Sequence, residues 1–415
     1  MTAFLLDAAA FLLRWFHVVA AMAWIGESFY FVMLDRALKP PREGGEGIQG
    51  DLWSVHGGGF YHKRKFLLAP PGMPADLHWS MWKSYTTWIT GFALLSVMYL
   101  ASPQIYMIDP NIAAWTQTQA VGLALGFLAL AWLGYDLLCR AVGFRDRLLV
   151  VLVAGWIIAL SFLATELFSG RAAYLLVGAA LGTIMSANVF VVIIPGQRRM
   201  VAALLRGETP DALPGKRGKQ RSVHNTFFTL PVVFAMLSVH FAAASSHPHK
   251  AWILIGFMAV GALIRQFFVI WHSGQRAWGL LLASAVLLIG LLVWMAPAPR
   301  PAVHSDPVSA IEDGAAAGDP VSTVQVVDSA PVETGRVHAI FQQRCVMCHA
   351  AQPRLMGSAP LGAMFDTPQQ VESYRDKIRQ QVVVMKVMPP GNMTGLTDTE
   401  RAEIDRWTTA VVARP

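Results

Sequence analysis

The sequence predicts an all-α protein in which an eight-helix transmembrane bundle is followed by a tether and a small all-α domain. Of its 415 residues, 54% are hydrophobic and only 14% are charged. This composition is too apolar for an ordinary soluble protein of this length. Eight apolar runs approach the ~20 residues that a helix needs to cross the hydrocarbon core of a bilayer. After the last run, the composition changes to small and polar residues.

The apolar runs define the predicted membrane domain, residues 1–296. They cover residues 11–34, 82–100, 113–138, 148–168, 172–194, 226–244, 251–271 and 277–295. An unpaired backbone amide is costly in lipid, so runs of this length are expected to be helical. The first run has no basic region before it and no small-residue cleavage site after it. We therefore expect a retained helix that also directs insertion.

Lysine and arginine are concentrated in the connections after the first, third and fifth runs, and the alternate connections hold almost none. Cytoplasmic connections of membrane proteins retain an excess of these residues. The pattern predicts a multi-pass protein of the bacterial inner membrane with both termini outside the cytoplasm. It also explains the formal net charge of +7 without a nucleic-acid partner, because the positive residues mark one membrane side.

Residues 297–332 are rich in Ala, Pro, Ser, Asp and Val, and this composition is too polar and too rich in proline to bury a core. We expect a flexible linker. Residues 333–415 then form a second domain, which the predicted topology places in the periplasm.

The second domain contains Cys345 and Cys348, followed directly by His349. At this C-x-x-C-H spacing, two thiols reach the vinyl groups of one haem and the histidine ligates its iron. A disulfide, a zinc half-site and a chance match are the alternatives, and no partner ligand set for zinc is apparent. The motif predicts one covalent haem c and a role in electron transfer. Such attachment takes place outside the bacterial cytoplasm, which agrees with the predicted topology.

Helical patterns flank the motif. A closing helix is predicted at about 397–411, where Thr397 and Glu400 form a capping box. Together these features resemble a class I cytochrome c domain. The resemblance implies a second axial ligand from a methionine before a proline. Met388 fits, since Pro389 follows it, and Met393 is the alternative. A thioether ligand raises the reduction potential of the haem.

Ionisable residues at membrane depth are costly, so each is a candidate functional residue. Arg14, His17 and Glu27 lie in the first run, and His240 lies near the end of the sixth. His17 and His240 are predicted at a similar depth on different helices, where they could hold a non-covalent haem or grip a substrate. Polar packing between helices is the alternative. The ionisable residues nearer the interfaces are expected to snorkel or flank the membrane: Asp136, Glu166, Arg265 and His272.

Two further histidines are predicted near the cytoplasmic side. His56 precedes three glycines, which permit positive φ and close approach of a ligand, although a solvated turn explains the same pattern. His224 precedes Pro231, which should kink the sixth helix and free a backbone carbonyl. The candidate catalytic residues are therefore His17, His240, Arg14, Glu27, His56 and His224.

Several stretches together resemble a known family. They are LRWFH at 13–17, WIGESFY at 24–30, the tryptophan and HGGGFY at 53–61, YTTW at 85–88, the stretch 188–197 ending in PGQ, and 224–240. This set is similar to the membrane-bound urate hydroxylases, bacterial proteins with an eight-helix membrane domain fused to a C-terminal cytochrome c. The resemblance covers essentially the whole chain.

The resemblance implies that urate is oxidised to 5-hydroxyisourate in purine catabolism. Electrons would pass to the haem c and on to a respiratory acceptor such as a terminal oxidase, and water would supply the hydroxyl. Urate bound at the cytoplasmic connections would lie across ~30 Å of hydrocarbon core from the haem. We therefore expect a relay or a site near the outer face, with Arg14 available to hold an anionic purine or a haem propionate.

The first run alone also resembles the membrane protoporphyrinogen oxidases that bind haem b, because His17, Trp24 and Gly26 match their H-x6-W-x-G pattern. The resemblance implies a haem b ligated by His17 as a second cofactor. Two other functions stay open at this point. One is a haem-b-containing membrane oxidase that acts on porphyrins. The other is non-enzymatic, either a subunit that relays quinol electrons to a cytochrome c or a metal-uptake protein with an attached cytochrome.

Overall fold

The computed structural model describes residues 2–41, 47–109 without positions 68, 71 and 75, 112–296, 334–355, and 359–410 without positions 361, 362 and 385. The predicted linker at 297–332 lies outside the described residues. Most of the described chain is helical.

The N-terminal part contains eleven numbered helices and two strands among the described residues. In chain order they are α1 (Thr2–Ala37), β1 (Ile48–His56), β2 (Gly59–Phe66), α2 (Trp82–Leu95), α3 (Pro103–Tyr106), α4 (Gln117–Val142), α5 (Asp146–Leu167), α6 (Gly170–Ala187), α7 (Ile194–Leu205), α8 (Ala212–Leu237), α9 (Ala242–Ser245), α10 (Lys250–Trp271) and α11 (Trp278–Met295). A π-helical segment, Asn188–Ile193, joins α6 to α7, and a 3-10 turn, Ser238–His240, extends α8.

Within the described residues, seven helical stretches are long and apolar enough to cross a membrane. They are Ala8–Ala37, Gln117–Val142, Asp146–Leu167, Gly170–Leu205, Ala212–His240, Lys250–Trp271 and Trp278–Met295. The predicted count of eight is therefore wrong, and the difference lies in the second run, 82–100. There α2 starts with polar residues, among them Lys83 and Thr87, and the apolar part is short and ends in a π-helical segment, Ser96–Leu100.

Helix α2 nevertheless packs along α1, and the two run antiparallel. Arg14 near the start of α1 contacts the Met98 sulfur beyond the end of α2, with Nη2 at 3.1 Å. Glu27 further along α1 pairs with Lys83 at the start of α2. One face of α1 is therefore occupied by α2 between Arg14 and Glu27.

A β-hairpin interrupts the otherwise helical N-terminal part, so the all-α prediction has one exception. Strands β1 and β2 pair antiparallel, with His56 opposite Gly59. Gly57 and Gly58 form the two-residue turn with φ of +57° and +80°. Two successive positive φ angles match the right-handed twist of paired strands, which is why glycine pairs are common at this position. The glycine run was interpreted either as a loop that approaches a ligand or as a solvated turn, and in the structure it forms a turn.

The core of the bundle lies among α4, α5, α6, α8 and α10. Its fully buried side chains include Tyr135, Phe168, Tyr174, Ile184 and Leu254. Small residues let the helices approach closely: Gly178 of α6 lies against Ala235 of α8, where an added Cβ would come within 2.8 Å of the alanine methyl group. Close backbone approach of this kind is typical of helices that pack in lipid.

The C-terminal part forms a separate small helical unit. It contains α12 (Thr334–Arg344), α13 (Pro368–Ser373), α14 (Arg375–Ile378) and α15 (Asp398–Thr409), with a π-helical segment at Arg379–Val384 and a 3-10 turn at Pro390–Asn392. The predicted capping box is confirmed, since Thr397 Oγ1 accepts from the Glu400 amide and the Glu400 carboxylate accepts from the Thr397 amide. Phe341 of α12 packs edge-on against Trp407 of α15 at the centre of this second core.

The C-terminal unit contacts one end of the bundle through the loop around Gly391. Helix α3 touches the 3-10 turn Pro390–Asn392, and a side chain at Gly391 would collide with the carbonyl oxygen of Ile108. A cavity of about 590 Å³ lies between this loop and the connections near Asp109, Ser169 and Lys250. These are the connections with few positive residues, on the side predicted to face the periplasm.

Candidate functional site

His17 lies against α2, half-buried, with Nδ1 3.0 Å from the backbone oxygen of Thr87 and 3.2 Å from Oγ1 of Thr90. A carbonyl oxygen can only accept a hydrogen bond, so Nδ1 carries the proton. In the neutral imidazole, the lone pair is then on Nε2. A histidine held in this tautomer can take a proton or ligate a metal through Nε2.

Gly91 makes this position of His17 possible. An added Cβ at Gly91 would lie 2.7 Å from Cε1 of the imidazole, closer than non-bonded carbon atoms come. The ring fits against α2 only because position 91 has no side chain.

Arg14 and Glu27 face α2 on either side of His17. Arg14 is exposed, and its guanidinium contacts the Met98 sulfur. Glu27 accepts hydrogen bonds of 2.6 Å from both Ser80 Oγ and Lys83 Nζ. The structure therefore brings three candidate residues of the sequence, Arg14, His17 and Glu27, to one face of α1. The Glu27 carboxylate is already neutralised there.

His224 belongs to a different cluster, which lies between α4, α8 and the π-helical segment after α6. Its Nδ1 is 2.8 Å from the Tyr135 hydroxyl, which accepts from Asn188 Nδ2 at 3.1 Å. Asn188 also donates to Asn225 Oδ1 at 2.8 Å. π-Helical segments are frequent at functional sites. Here the segment begins at the fully buried Asn188, and Pro195, which has no N–H, follows shortly after it.

The same cluster holds a buried ion pair. Arg221 Nη2 is 2.6 Å from Asp136, and Arg140 binds the other carboxylate oxygen of Asp136 at 2.6 Å. The Arg221 guanidinium also lies 4.9 Å from the centre of the Tyr135 ring. Asp136 was expected to lie at the membrane interface, but it is buried and paired. Arg221 and Arg140 therefore share the Asp136 carboxylate as their counterion.

The remaining two candidates do not join either cluster. His240 is exposed in the 3-10 turn that ends α8, and no hydrogen bond or ring contact between described residues links it to His17. His56 is exposed at the tip of the hairpin. The shared-depth argument placed His17 and His240 near one another along the membrane normal, but it carried no information about lateral separation.

Arg265 is buried in a way that sequence reasoning did not predict. It was expected to snorkel to the interface, yet its exposed fraction is 0%. A sequence signal existed, since α10 contains no acidic residue that could pair with it. An arginine in an apolar run without a helical counterion is a candidate ligand-binding residue.

The C-terminal unit presents the Cys-x-x-Cys-His motif on a single helical turn. The amide nitrogen of His349 donates to the Cys345 carbonyl at 2.9 Å, and that of Cys348 donates to the same oxygen at 3.1 Å. His349 Nδ1 lies 2.9 Å from the Ala363 carbonyl, so this imidazole also has its proton on Nδ1 and its lone pair on Nε2. Phe365 stacks on the ring at 4.7 Å. These residues fit a haem c, because two free thiols and an oriented imidazole are the donor set it requires.

Burial shifts the pKa values of Cys345 and His349 in this motif. Removal of the Cys345 sulfur from water, with Cys348 and Glu400 nearby, raises the pKa of its thiol to about 12. Burial also lowers the pKa of His349, although the bond to Ala363 opposes the shift. The imidazole is thus held in the neutral form that ligates iron.

The two candidate axial methionines differ in packing. Met388 contacts the hydrophobic core of the C-terminal unit, which Cys345 also contacts. Met393 lies at the end of the 3-10 turn Pro390–Asn392, outside that core. The Met388 carbonyl accepts a hydrogen bond from Arg401 at 3.2 Å, which ties the Met388 loop to α15.

Long apolar helices with paired polar groups inside, beside a second helical unit with a Cys-x-x-Cys-His motif, are consistent with the class of membrane proteins. Comparison with known families narrows this class. Residues 3–296 match the family described as urate oxidase N-terminal, and the chain belongs to that family. No curated protein and no solved structure matches the chain.

Proposed function

We propose that this protein oxidises urate to 5-hydroxyisourate and delivers the electrons to a haem c in its C-terminal domain. The observation that carries the proposal is the union, in one chain, of a urate oxidase domain at 3–296 with a docked helical unit that presents Cys345, Cys348 and His349. The family of the first part indicates urate as the substrate, and the haem-attachment motif of the second part indicates an electron acceptor.

The reaction balances without dioxygen. Urate and one water give 5-hydroxyisourate, two protons and two electrons, and the new C–O bond forms at C5 with oxygen from water. Cys345 and Cys348 would attach the haem, and His349 with Met388 would ligate its iron. When bound, this group accepts one electron at a time, which removes the need for direct reaction with dioxygen.

Within the bundle, His17 is the proposed proton acceptor. Its Nδ1–H is bonded to Thr87, so the Nε2 lone pair is available to take up a proton that the reaction releases. Arg14 lies about one turn away on the outer side and can hold an anionic group. His224, whose Nδ1 is bonded to Tyr135, is the second candidate for proton transfer.

The docked position of the C-terminal unit supports delivery of the electrons at the periplasmic face. The loop that follows Met388 lies against Ile108 and the neighbouring connections. Those connections contain few lysines and arginines, as expected outside the cytoplasm. Electrons released within the bundle would then leave it on the side where the haem is held, without a crossing of the full hydrocarbon core. We propose a multi-pass protein of the bacterial inner membrane, with a respiratory partner such as a terminal oxidase.

Anaerobic addition of urate to the purified protein tests the proposal. We expect the absorption band of a reduced cytochrome c to appear with urate and not with xanthine, which lacks the oxygen at C8. His17→Ala should slow the reduction at least ten-fold with the haem content unchanged. A wild-type protein that carries haem c but is not reduced by urate would overturn the proposed function.

A haem-b-containing oxidase is a second candidate, and one observation favours it. His17 has the same arrangement as His349: Nδ1 is bonded to a backbone carbonyl and Nε2 is left for a metal. Acid extraction followed by mass spectrometry distinguishes the two candidates. Non-covalent haem that disappears in His17→Ala, without urate-dependent reduction in the wild type, would favour the haem b enzyme.

A further inference from the structure

Two buried arginines in the bundle differ in their partners. Arg221 has an exposed fraction of 4%, and its charge is met by Asp136 at 2.6 Å and by the Asn188 side-chain oxygen at 3.3 Å. Arg265 is fully buried, and no carboxylate of the described residues lies within ion-pair distance of it. The same chain thus contains a satisfied buried guanidinium and an unsatisfied one.

The contacts of Arg265 leave most of its donors unused. Nη2 is 3.4 Å from the Ser28 carbonyl, a long hydrogen bond, and the guanidinium carbon lies 3.9 Å from the centre of the Phe29 ring. Nε and Nη1 have no hydrogen-bond partner among the described residues. The aromatic face compensates only part of the desolvation of a cation.

An unpaired charge inside an apolar bundle is expensive, and proteins retain one where a ligand supplies the counter-charge. The unused edge of Arg265 offers N–H donors in one plane, which suits a planar anion with adjacent acceptor atoms. Urate at neutral pH is such an anion, since its ring is planar, singly charged and bordered by carbonyl oxygens. A haem propionate presents the same anionic oxygen chemistry.

We propose that Arg265, with the Phe29 ring and the Ser28 carbonyl beside it, binds the anionic ring of the substrate. The inference rests on the proposed function, because it takes urate as the occupant. Ser28 and Phe29 follow Glu27 on α1, so the site joins α1 to α10. Glu27 is paired with Lys83 and does not neutralise Arg265.

Substitution of Arg265 by methionine tests the proposal on the detergent-solubilised full chain. Methionine has similar length and no charge. If Arg265 only supported the fold, Arg265→Met would lower the melting temperature without urate. If Arg265 binds the substrate, the melting temperature without urate stays the same or rises, and the increase caused by urate disappears. We also expect the dissociation constant for urate to rise about 100-fold, as for loss of a charged hydrogen-bonding partner.

Two further variants sharpen the test. Arg265→Lys keeps the charge but not the planar set of donors, and should weaken urate binding at least ten-fold. Arg276→Gln removes an exposed arginine shortly after α10 and should leave urate binding unchanged. Urate that still binds and stabilises Arg265→Met would overturn the proposal. So would loss of acid-extractable haem in Arg265→Met with urate binding intact, since the occupant would then be a propionate.

Failure of the proposed function gives a different result. In that case the wild-type protein itself would show neither urate-dependent stabilisation nor urate-dependent haem reduction, and the proposal for Arg265 would fall with it. If the wild type binds urate and Arg265→Met binds it equally well, only the assignment of Arg265 is overturned.

Discussion

At the residue scale, the position of a proton follows from the identity of its acceptor. His17 and His349 each direct Nδ1 at a backbone carbonyl, of Thr87 and Ala363 respectively. Each imidazole is thereby restricted to the tautomer with a free Nε2 lone pair. The two histidines lie in unrelated sequence contexts, so this common property became visible only through their tertiary contacts.

The axial ligand of the proposed haem c is testable at this scale. Met388→Ala should remove the low-spin spectrum of a methionine-ligated haem and lower the reduction potential, because a thioether stabilises the reduced iron. Met393→Ala is the matched control, since this methionine lies outside the core that Met388 contacts. Visible absorption and a redox titration measure both effects. An unchanged spectrum in Met388→Ala, with loss in Met393→Ala, would reassign the ligand.

Glu400 should make the stability of the C-terminal unit depend on pH. Burial alone would raise its pKa, but the hydrogen bonds from Thr397 and Arg344 outweigh burial and lower it. A carboxyl group with a lowered folded pKa contributes stability above its unfolded pKa of about 4.3, and loses that contribution as pH falls through the folded value.

Glu400→Gln should therefore destabilise the unit by roughly 1 to 2 kcal/mol at pH 7 and flatten its stability profile below pH 5. Chemical denaturation followed by haem absorbance provides the measurement. Glu208→Gln serves as the control, because the Arg206–Glu208 pair is fully exposed and should contribute little. Equal pH profiles for wild type and Glu400→Gln would contradict the assignment.

At the element scale, local signals located most helices and missed two features. The long apolar runs predicted α1, α4, α5, α6, α8, α10 and α11 because bilayer thickness fixes the length of a crossing helix. The run at 82–100 was counted as a crossing although its first half is polar. The hairpin was missed because its strands, nine and eight residues long, do not alternate apolar and polar residues regularly.

The pairing of α1 with α2 depends on Gly91. Gly91→Ala should push the His17 ring off Thr87, since the new methyl group would come within 2.7 Å of Cε1. We expect a loss of about 1 to 3 kcal/mol from overpacking and a fall in urate turnover of at least ten-fold. Thermal unfolding and urate-dependent haem reduction measure the two effects.

Gly122→Ala is the matched control for this prediction. Gly122 also lies within a long helix, but no atom approaches its missing side chain within 4 Å. Alanine there should leave turnover unchanged and stabilise the helix by about 0.5 to 1 kcal/mol. If Gly91→Ala behaves like Gly122→Ala, the His17 ring does not need its contact with α2 for function.

At the scale of the whole molecule, the C-terminal unit docks on the end of the bundle that is poor in positive residues. The charged residues that line the cavity between the two parts are Asp109, Arg171, Lys250, Lys386, Asp398 and Arg401. Both parts contribute cations and carboxylates to this cavity.

Docking can be disturbed at Gly391, which packs on the Ile108 carbonyl and has φ of +54°. Gly391→Ala should slow urate-dependent reduction of the haem at least ten-fold, with haem content and reduction potential unchanged. Gly395→Ala carries similar backbone strain, with φ of +67°, but its nearest neighbour is Arg344 at 3.7 Å, within the same unit. Stopped-flow reduction by urate should separate the variants, and equal rates would exclude a role for this contact.

The sequence by itself determined the apolar runs, the haem-attachment motif and the capping box at Thr397. Each is set by residues close together in the chain or by the thickness of a bilayer. Tertiary structure alone decided that Arg221 is paired with Asp136 and that Arg265 has no carboxylate partner among the described residues. The contacts involved join distant positions: Arg221 and Asp136 are 85 positions apart, and Arg265 and Ser28 are 237 positions apart. Tertiary structure also decided that His17 and His224 lie in different clusters and that His56 and His240 join neither. Contacts between residues so far apart depend on how the helices pack, and a single sequence contains no local signal of that packing.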